Sequence, residues 1–192
     1  MSNNVTNVLI VGVGGQGTIL ASRILTTVIQ QNNYDVKLSE IHGMAQRGGS
    51  VVTQVRFGDS VNSPLVELNN ADYILSFELL EGLRWLPYLK KDGVIIVNKQ
   101  QIEPMPVIIG KQQYPDQIER IINDQVSKAV FFEALPIAEA LGNTKVLNVI
   151  LIGVLARYLP FSLEDWMKAI EEKVPAKALE INKKAFLAGY QA

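Results

Sequence analysis

The run NVLIVGVGGQGTILASRIL, Asn7 to Leu25, decides the reading of this chain. Val8 to Val11 is a short continuous apolar stretch, the pattern of a strand buried in a parallel sheet. Past the glycines, Ile19, Leu20, Ile24, Leu25, Val28 and Ile29 recur at three- and four-residue steps, one face of a helix. Between the two, Gly12, Gly14 and Gly17 satisfy the spacing G-x-G-x-x-G. Glycines in such a turn reach backbone angles closed to other residues and let a ligand approach the main chain. The unpaired amides at the start of a helix from Gly17 to Ile29, with its dipole, favour an anion, most naturally a phosphate. The plainer explanation is a tight turn and close helix–sheet packing; the strand–turn–helix context tips the balance towards the anion.

Working outward, Val36, Leu38 and Ile41 alternate with Lys37 and Glu40 as a second strand, so strand, helix and strand form a crossover that makes the two strands parallel. HGMAQRGGS reads as a loop, SVVTQVRF and ADYILSF as strands, Glu78 to Leu89 as a helix with Pro87 near its end, and GVIIV as a strand. Pro104-Met105-Pro106 reads as an irregular connector before the apolar Val107 to Ile109. From Pro115 onward the pattern is mainly helical: 116–125, 136–141, 144–158, 162–173 and 176–188, with Ser162 and Asp165 spaced as a capping box. The expected architecture is α/β, a Rossmann-like open, mostly parallel sheet flanked by helices, with a helical C-terminal portion, in one domain spanning 1–192.

The second loop is Gln46-Arg47-Gly48-Gly49-Ser50. Arg47 supplies a planar donor fork for phosphate or carboxylate, the glycines expose amides, and Ser50 adds a hydroxyl. The loop falls near the carboxyl end of the second strand, the sheet edge where α/β folds hold ligands. A nicotinamide-dinucleotide site also needs an acid about twenty residues beyond the turn, and Glu40 stands 23 beyond Gly17. Against that, the chain has one histidine, His42, and no evident proton-transfer group. His42 reads as a surface or packing residue, Trp85 and Trp166 as core, and Glu78 and Glu81 as acids favoured by a helix start. Asn148, in an otherwise apolar helix, reads as a buried amide bonded locally to backbone or facing a ligand cleft.

Composition narrows the chemistry. The 192 residues carry 18 Lys and Arg against 19 Asp and Glu, so charge offers no reason to bind nucleic acid or an anionic membrane. With no cysteine, the chain supplies no disulfide, no catalytic thiol and no cysteinyl ligand to an iron–sulfur cluster. MSNNVTNV does not read as a signal peptide, and Val146 to Ala156 is too short to span a bilayer, so a soluble cytoplasmic protein is expected. No metal site and no catalytic residue is assigned to this chain.

GVGGQG, EIHGMAQRGGSVVTQVRFG (Glu40–Gly58), ADYILSFELLEGLR (Ala71–Arg84) and NVILIGVLA (Asn148–Ala156) together resemble the gamma-type component of 2-oxoacid:ferredoxin oxidoreductases. Within that family the likeness is strongest to the indolepyruvate type, through HGMAQRGGSVV. The resemblance implies a subunit of a complex that oxidatively decarboxylates a 2-oxoacid with coenzyme A, yielding acyl-CoA, carbon dioxide and reduced ferredoxin. It also implies that thiamine diphosphate, magnesium and Fe–S clusters belong to a larger partner subunit, that ferredoxin meets the complex rather than this chain, and that self-association is left open. Carried over onto this sequence, Gly12, Gly14, Gly15, Gln16 and Gly17 match the first motif and Arg47, Gly48, Gly49 and Ser50 the second, as candidate coenzyme A contacts. The alternatives are an autonomous NAD(P)-binding dehydrogenase, and a nucleotide-sensing module without catalytic part.

Overall fold

Alternate residues of β1 (Thr6–Val13) feed two separate cores, and that alternation divides the molecule into layers. Val8 and Ile10 pack among helices on one face of the sheet, Leu9 and Val11 among those on the other. The structure, a computed structural model, describes residues 5–43 and 49–192. A strand buried on both faces needs apolar side chains at every position, as VLIV provides.

The remaining strands are β2 (Asp35–His42), β3 (Ser50–Gly58), β4 (Ala71–Ser76), β5 (Leu89–Asn98) and β6 (Ala129–Phe132), in the sheet order β2-β3-β1-β4-β5-β6. β1, β4, β5 and β6 pair in parallel, whereas β3 runs antiparallel to both β1 and β2. β2 therefore points the same way as β1, as the crossover requires, but β3 stands between them. The mostly parallel α/β sheet and the shared direction of the first two strands agree with expectation. β3 follows β2 across a short connection and pairs back on it, which inserts it next to β1.

On one face lies α1 (Thr18–Gln31), with α5 (Ala134–Ala140), α6 (Leu147–Ala156), α7 (Leu163–Lys173) and α8 (Leu179–Gln191); on the other lie α2 (Leu79–Trp85) and α4 (Ile118–Gln125). All ten residues of α6 are buried. LNVILIGVLA has no polar face because α8 covers the side that the sheet leaves open. Among the described residues no helix is long and apolar enough to cross a membrane. Ser162 and Asp165 form the expected capping box, their side chains each accepting from the other's amide at 3.2 Å, so the shorter Asp serves where Glu or Gln is usual. Trp166 is fully buried and stacks on Phe186 at 5.6 Å, while Trp85 is half-buried against Tyr88.

Two expectations change. The helix after β4 ends at Trp85, and a 3-10 turn (Leu86–Tyr88) places Pro87 where its missing N–H costs nothing before β5 opens at Leu89. The mainly helical reading beyond Pro115 also misses β6, whose four residues AVFF pair with Ile95–Asn98. A further small helix, α3 (Met105–Ile108), occupies the proline connector and is buried nowhere.

The crossing of α6 and α8 depends on glycine. A Cβ on Gly189 would stand 2.0 Å from the Ile150 carbonyl oxygen, and one on Gly153 would stand 2.3 Å from that of Phe186. Gly189→Ala must part the two helices and is expected to cost about 1–3 kcal/mol, as overpacking does. Urea denaturation checks this, and a change within about 0.5 kcal/mol, typical of an innocuous surface substitution, would refute it.

Candidate functional site

The carboxyl ends of β1, β4 and β5 and the start of β3 meet at one edge of the sheet, and the first glycine turn lies there. Gly15 (φ 101°) and Gly17 (φ 83°) adopt the left-handed conformation, which only glycine takes without strain. Gly17 is the N-cap of α1 and offers no capping side chain. In consequence the amides of Gly15, Gly17, Thr18 and Ile19 have no hydrogen-bond acceptor among the described residues. Four donors at the positive end of a 14-residue helix, with no acid in its first turn, suit an anion.

Other members of the motif serve the turn itself. Gln16 folds back, its Oε1 accepting from the Val13 amide (2.9 Å) and its Nε2 donating to the Phe77 carbonyl (3.0 Å). Gly12 makes room for that brace: a Cβ there would lie 2.7 Å from Gln16 Oε1 and 2.9 Å from Phe77 Cβ. Asn98, buried at the end of β5, donates to the same Phe77 carbonyl (3.0 Å) and accepts from the Ala134 amide (3.1 Å).

The second loop reaches the first. The Gly14 amide donates to the Gly49 carbonyl (2.9 Å), and Ser50 pairs with Val13 in the β1–β3 ladder. Ser50 Oγ donates to Glu81 Oε2 (2.5 Å), so this hydroxyl is engaged rather than free for a ligand. Glu81 is fully buried in α2 and also accepts from Arg84 (2.5 Å) and Trp85 Nε1 (3.3 Å). Arg47 and Gly48 lie outside the described residues. The structure thus brings together Gly12, Gly14, Gly15, Gln16, Gly17, Gly49 and Ser50.

Two clefts flank the turn and share Gly15 and Gly17. One, of about 470 Å³, lies between the turn and Thr144–Leu147, with Gln100 and Leu135 completing its lining. The other, of about 560 Å³, lies between the turn with the start of α1 and His42, Gly43 and Val51. Thr144, Lys145 and Gln100 were absent from the sequence reading, since no local pattern marks them. Asn148 explains how they come to the turn: it is buried, and its Nδ2 donates to the Gly17 carbonyl at 3.1 Å, fastening the start of α6 to the start of α1. The local backbone bond expected of Asn148 is present as well, its Oδ1 accepting from the Val149 amide at 3.0 Å, but the bond to Gly17 is a long-range one.

Glu40 stands differently from what a nicotinamide site requires. It sits on β2, two strand spacings or about 10 Å from β1, and accepts from Ser22 Oγ at 3.1 Å. His42 is exposed, its Nε2 3.9 Å from Glu40 Oε2. Behind the turn, Glu78 caps α2 by accepting from the amides of Leu80 and Glu81, and Tyr114 donates to it at 3.4 Å. Burial pushes the Glu78 carboxyl above its ordinary value despite those backbone bonds, and burial beside Glu78 raises the Tyr114 phenol too.

The chain belongs to the pyruvate ferredoxin/flavodoxin oxidoreductase family, whose pattern matches residues 7–192. It is 41% identical over 191 residues to the indolepyruvate oxidoreductase subunit IorB of Pyrococcus horikoshii, covering 97% of this chain and 95% of that one. Pyruvate oxidoreductase subunit PORC of Thermotoga maritima shares the fold, with a TM-score of 0.73 at 20% identity, over 97% of this chain and 96% of that one. So does the 2-oxoglutarate:ferredoxin oxidoreductase of Magnetococcus marinus, solved with 2-oxoglutarate, coenzyme A and succinyl-CoA bound: TM-score 0.73, 16% identity, 97% of this chain and 30% of that one. This chain is a subunit of a 2-oxoacid:ferredoxin oxidoreductase, an enzyme component and not a self-sufficient enzyme.

Two outcomes are expected. Gly17→Ala puts a Cβ 2.6 Å from Asn148 Nδ2 at a φ of 83°, so it loses about 1–2 kcal/mol to backbone strain and more to the displaced amide. Combined with Asn148→Ala, the total loss is expected to fall short of the sum, because one variant removes the clash in the other. Equal sums in urea denaturation would refute the contact. For Glu78, a folded-state pKa above 4.5 means that the folded protein holds the proton more firmly than the unfolded one. The stability of wild type relative to Glu78→Gln should therefore rise as pH falls from neutrality through the raised value, levelling below the ordinary one. A relative loss of stability on acidification would reverse the sign and exclude burial as the cause.

Proposed function

We propose that this subunit holds the phosphates of coenzyme A at the Gly14–Gly17 turn and closes the coenzyme side of an active site completed by a larger subunit. The four amides of the turn that lack acceptors are the observation that carries this reading, since they present donors to an anion beside two clefts. Arg47 from the second loop supplies a charged fork to the same ligand. Thiamine diphosphate, with its magnesium ion, and the iron–sulfur clusters belong to the partner, in keeping with the absence of cysteine here. When bound there, these groups supply decarboxylation and electron transfer to ferredoxin. This chain's own residues bind the coenzyme, orient it and exclude water. The reaction is oxidative decarboxylation of a 2-oxoacid with coenzyme A, giving acyl-CoA, carbon dioxide and reduced ferredoxin. Relatives named for indolepyruvate favour an arylpyruvate substrate.

The autonomous dehydrogenase reading is disfavoured by the place of Glu40, because β3, which carries no acid, separates its strand from β1.

Titration calorimetry on the complex reconstituted with its larger subunit tests the proposal. Arg47→Ala is expected to weaken coenzyme A about tenfold, some 1.4 kcal/mol. The isolated chain should show no 2-oxoacid oxidation and no thermal shift with NAD or NADP. A large shift with NAD alone, or undiminished coenzyme A affinity in Arg47→Ala and in a Gly15→Val turn variant alike, would overturn it.

A further inference from the structure

Lys145 is the single lysine or arginine among the described residues lining either cleft. Among the described residues it makes no ion pair, as is also true of Lys91, Lys111, Lys128, Lys177 and Lys184, but of these Lys145 alone lines a cleft at the glycine turn. Its position opposes its charge. Lys145 lies in the 3-10 turn Thr144–Val146 that runs directly into α6, at the positive end of a helix, where a cation is disfavoured. The lining of its cleft holds no acid to offset that cost.

The backbone around Lys145 is nonetheless firmly built. Gly142 (φ 76°) turns the chain, and Asn143 Oδ1 accepts from the Lys145 amide at 3.0 Å. Three residues further on, Asn148 donates to Gly17, so the segment carrying Lys145 is pinned to the glycine turn across 131 residues of sequence. Residues three apart in a helical segment share a face. The exposed lysine and the turn therefore border one cleft of about 470 Å³, the backbone of each held relative to the other.

The geometry points to Lys145 as the cation that neutralises a phosphate of the ligand held in the cleft between the glycine turn and α6. The ligand then lies across Gly15–Gly17, one end beside Lys145 and the other in the cleft beside His42. This rests on the coenzyme A reading and adds to it a residue, a side of the turn and a direction. The phosphate is either in the coenzyme's diphosphate or on its ribose, and dephospho-coenzyme A separates the two.

The test uses the reconstituted complex with its 2-oxoacid, coenzyme A and ferredoxin. Lys145→Gln is expected to raise KM for coenzyme A about tenfold with kcat within about twofold, because the lost contact is binding made equally in ground and transition states. Lys145→Arg should restore most of the affinity, and the wild-type advantage should shrink as salt screens the charge. If dephospho-coenzyme A suffers the same loss, Lys145 meets the diphosphate; if its KM is unmoved, Lys145 meets the ribose phosphate. Removing the lysine should leave the melting temperature unchanged or raised, as it relieves the helix end. Unchanged KM in Lys145→Gln, while Arg47→Ala or Gly15→Val raises it, would overturn the assignment and leave the coenzyme A reading standing. Unchanged KM in all three would bring down both. A lowered melting temperature without a KM effect would make Lys145 structural and likewise overturn the assignment.

Discussion

The antiparallel pairing of β3 with β1 is the constraint on which the ligand edge depends. Because β3 begins where β1 ends, Ser50 faces Val13 and the Gly49 carbonyl receives the Gly14 amide. Two glycine segments more than thirty residues apart thereby share one hydrogen bond. A parallel neighbour would have brought its own carboxyl end there, as in a dinucleotide-binding sheet. The inserted strand also moves β2 outward to the sheet's edge, taking Glu40 and His42 to the far side of the second cleft. One reversal of strand direction thus keeps the glycine turn of a Rossmann-like protein while withdrawing the acid that would accompany a ribose.

The fold was legible wherever pattern ran long enough. VLIV, the α1 periodicity and the wholly apolar α6 each name their environment without tertiary information, and Ser162 announces a helix start by chemistry alone. β6 was not legible, because four residues of AVFF fit a strand or a helix equally and only the open edge of β5 decides between them. The turn's glycines could be read, but not their division of labour. Gly12 and Gln16 look like ligand residues by spacing, yet one makes room for the other, and Gln16 spends its amide on backbone. Ser50 likewise advertises a hydroxyl that Glu81 has already taken. Lys145 carries no motif; only the long-range bond from Asn148 to Gly17 makes it a neighbour of the turn.

Behind the site, α2 concentrates two buried carboxylates within one turn. Glu78 is satisfied by helix amides and Glu81 by a hydroxyl, a guanidinium and an indole, so each has enough donors to remain folded away from water. Breaking one partnership in such a set leaves a buried charge uncompensated, which costs far more than the bond itself contributes. Glu81 therefore couples the integrity of α2 to the exit of the second glycine loop through Ser50.

The completely buried α6 has a consequence for how the protein is made. Its apolar surface leaves the ribosome well before α8, the element that covers it, and at roughly 5–20 residues per second the interval lasts a few seconds. For that time a ten-residue helix without a polar face has the sheet, all six strands of which precede it in the chain, but not the helix that covers its other side. The glycines that let α8 settle within backbone distance thus also close that apolar side. Until α8 docks, the side of α6 that it covers stays open, so this apolar helix waits on a segment made after it.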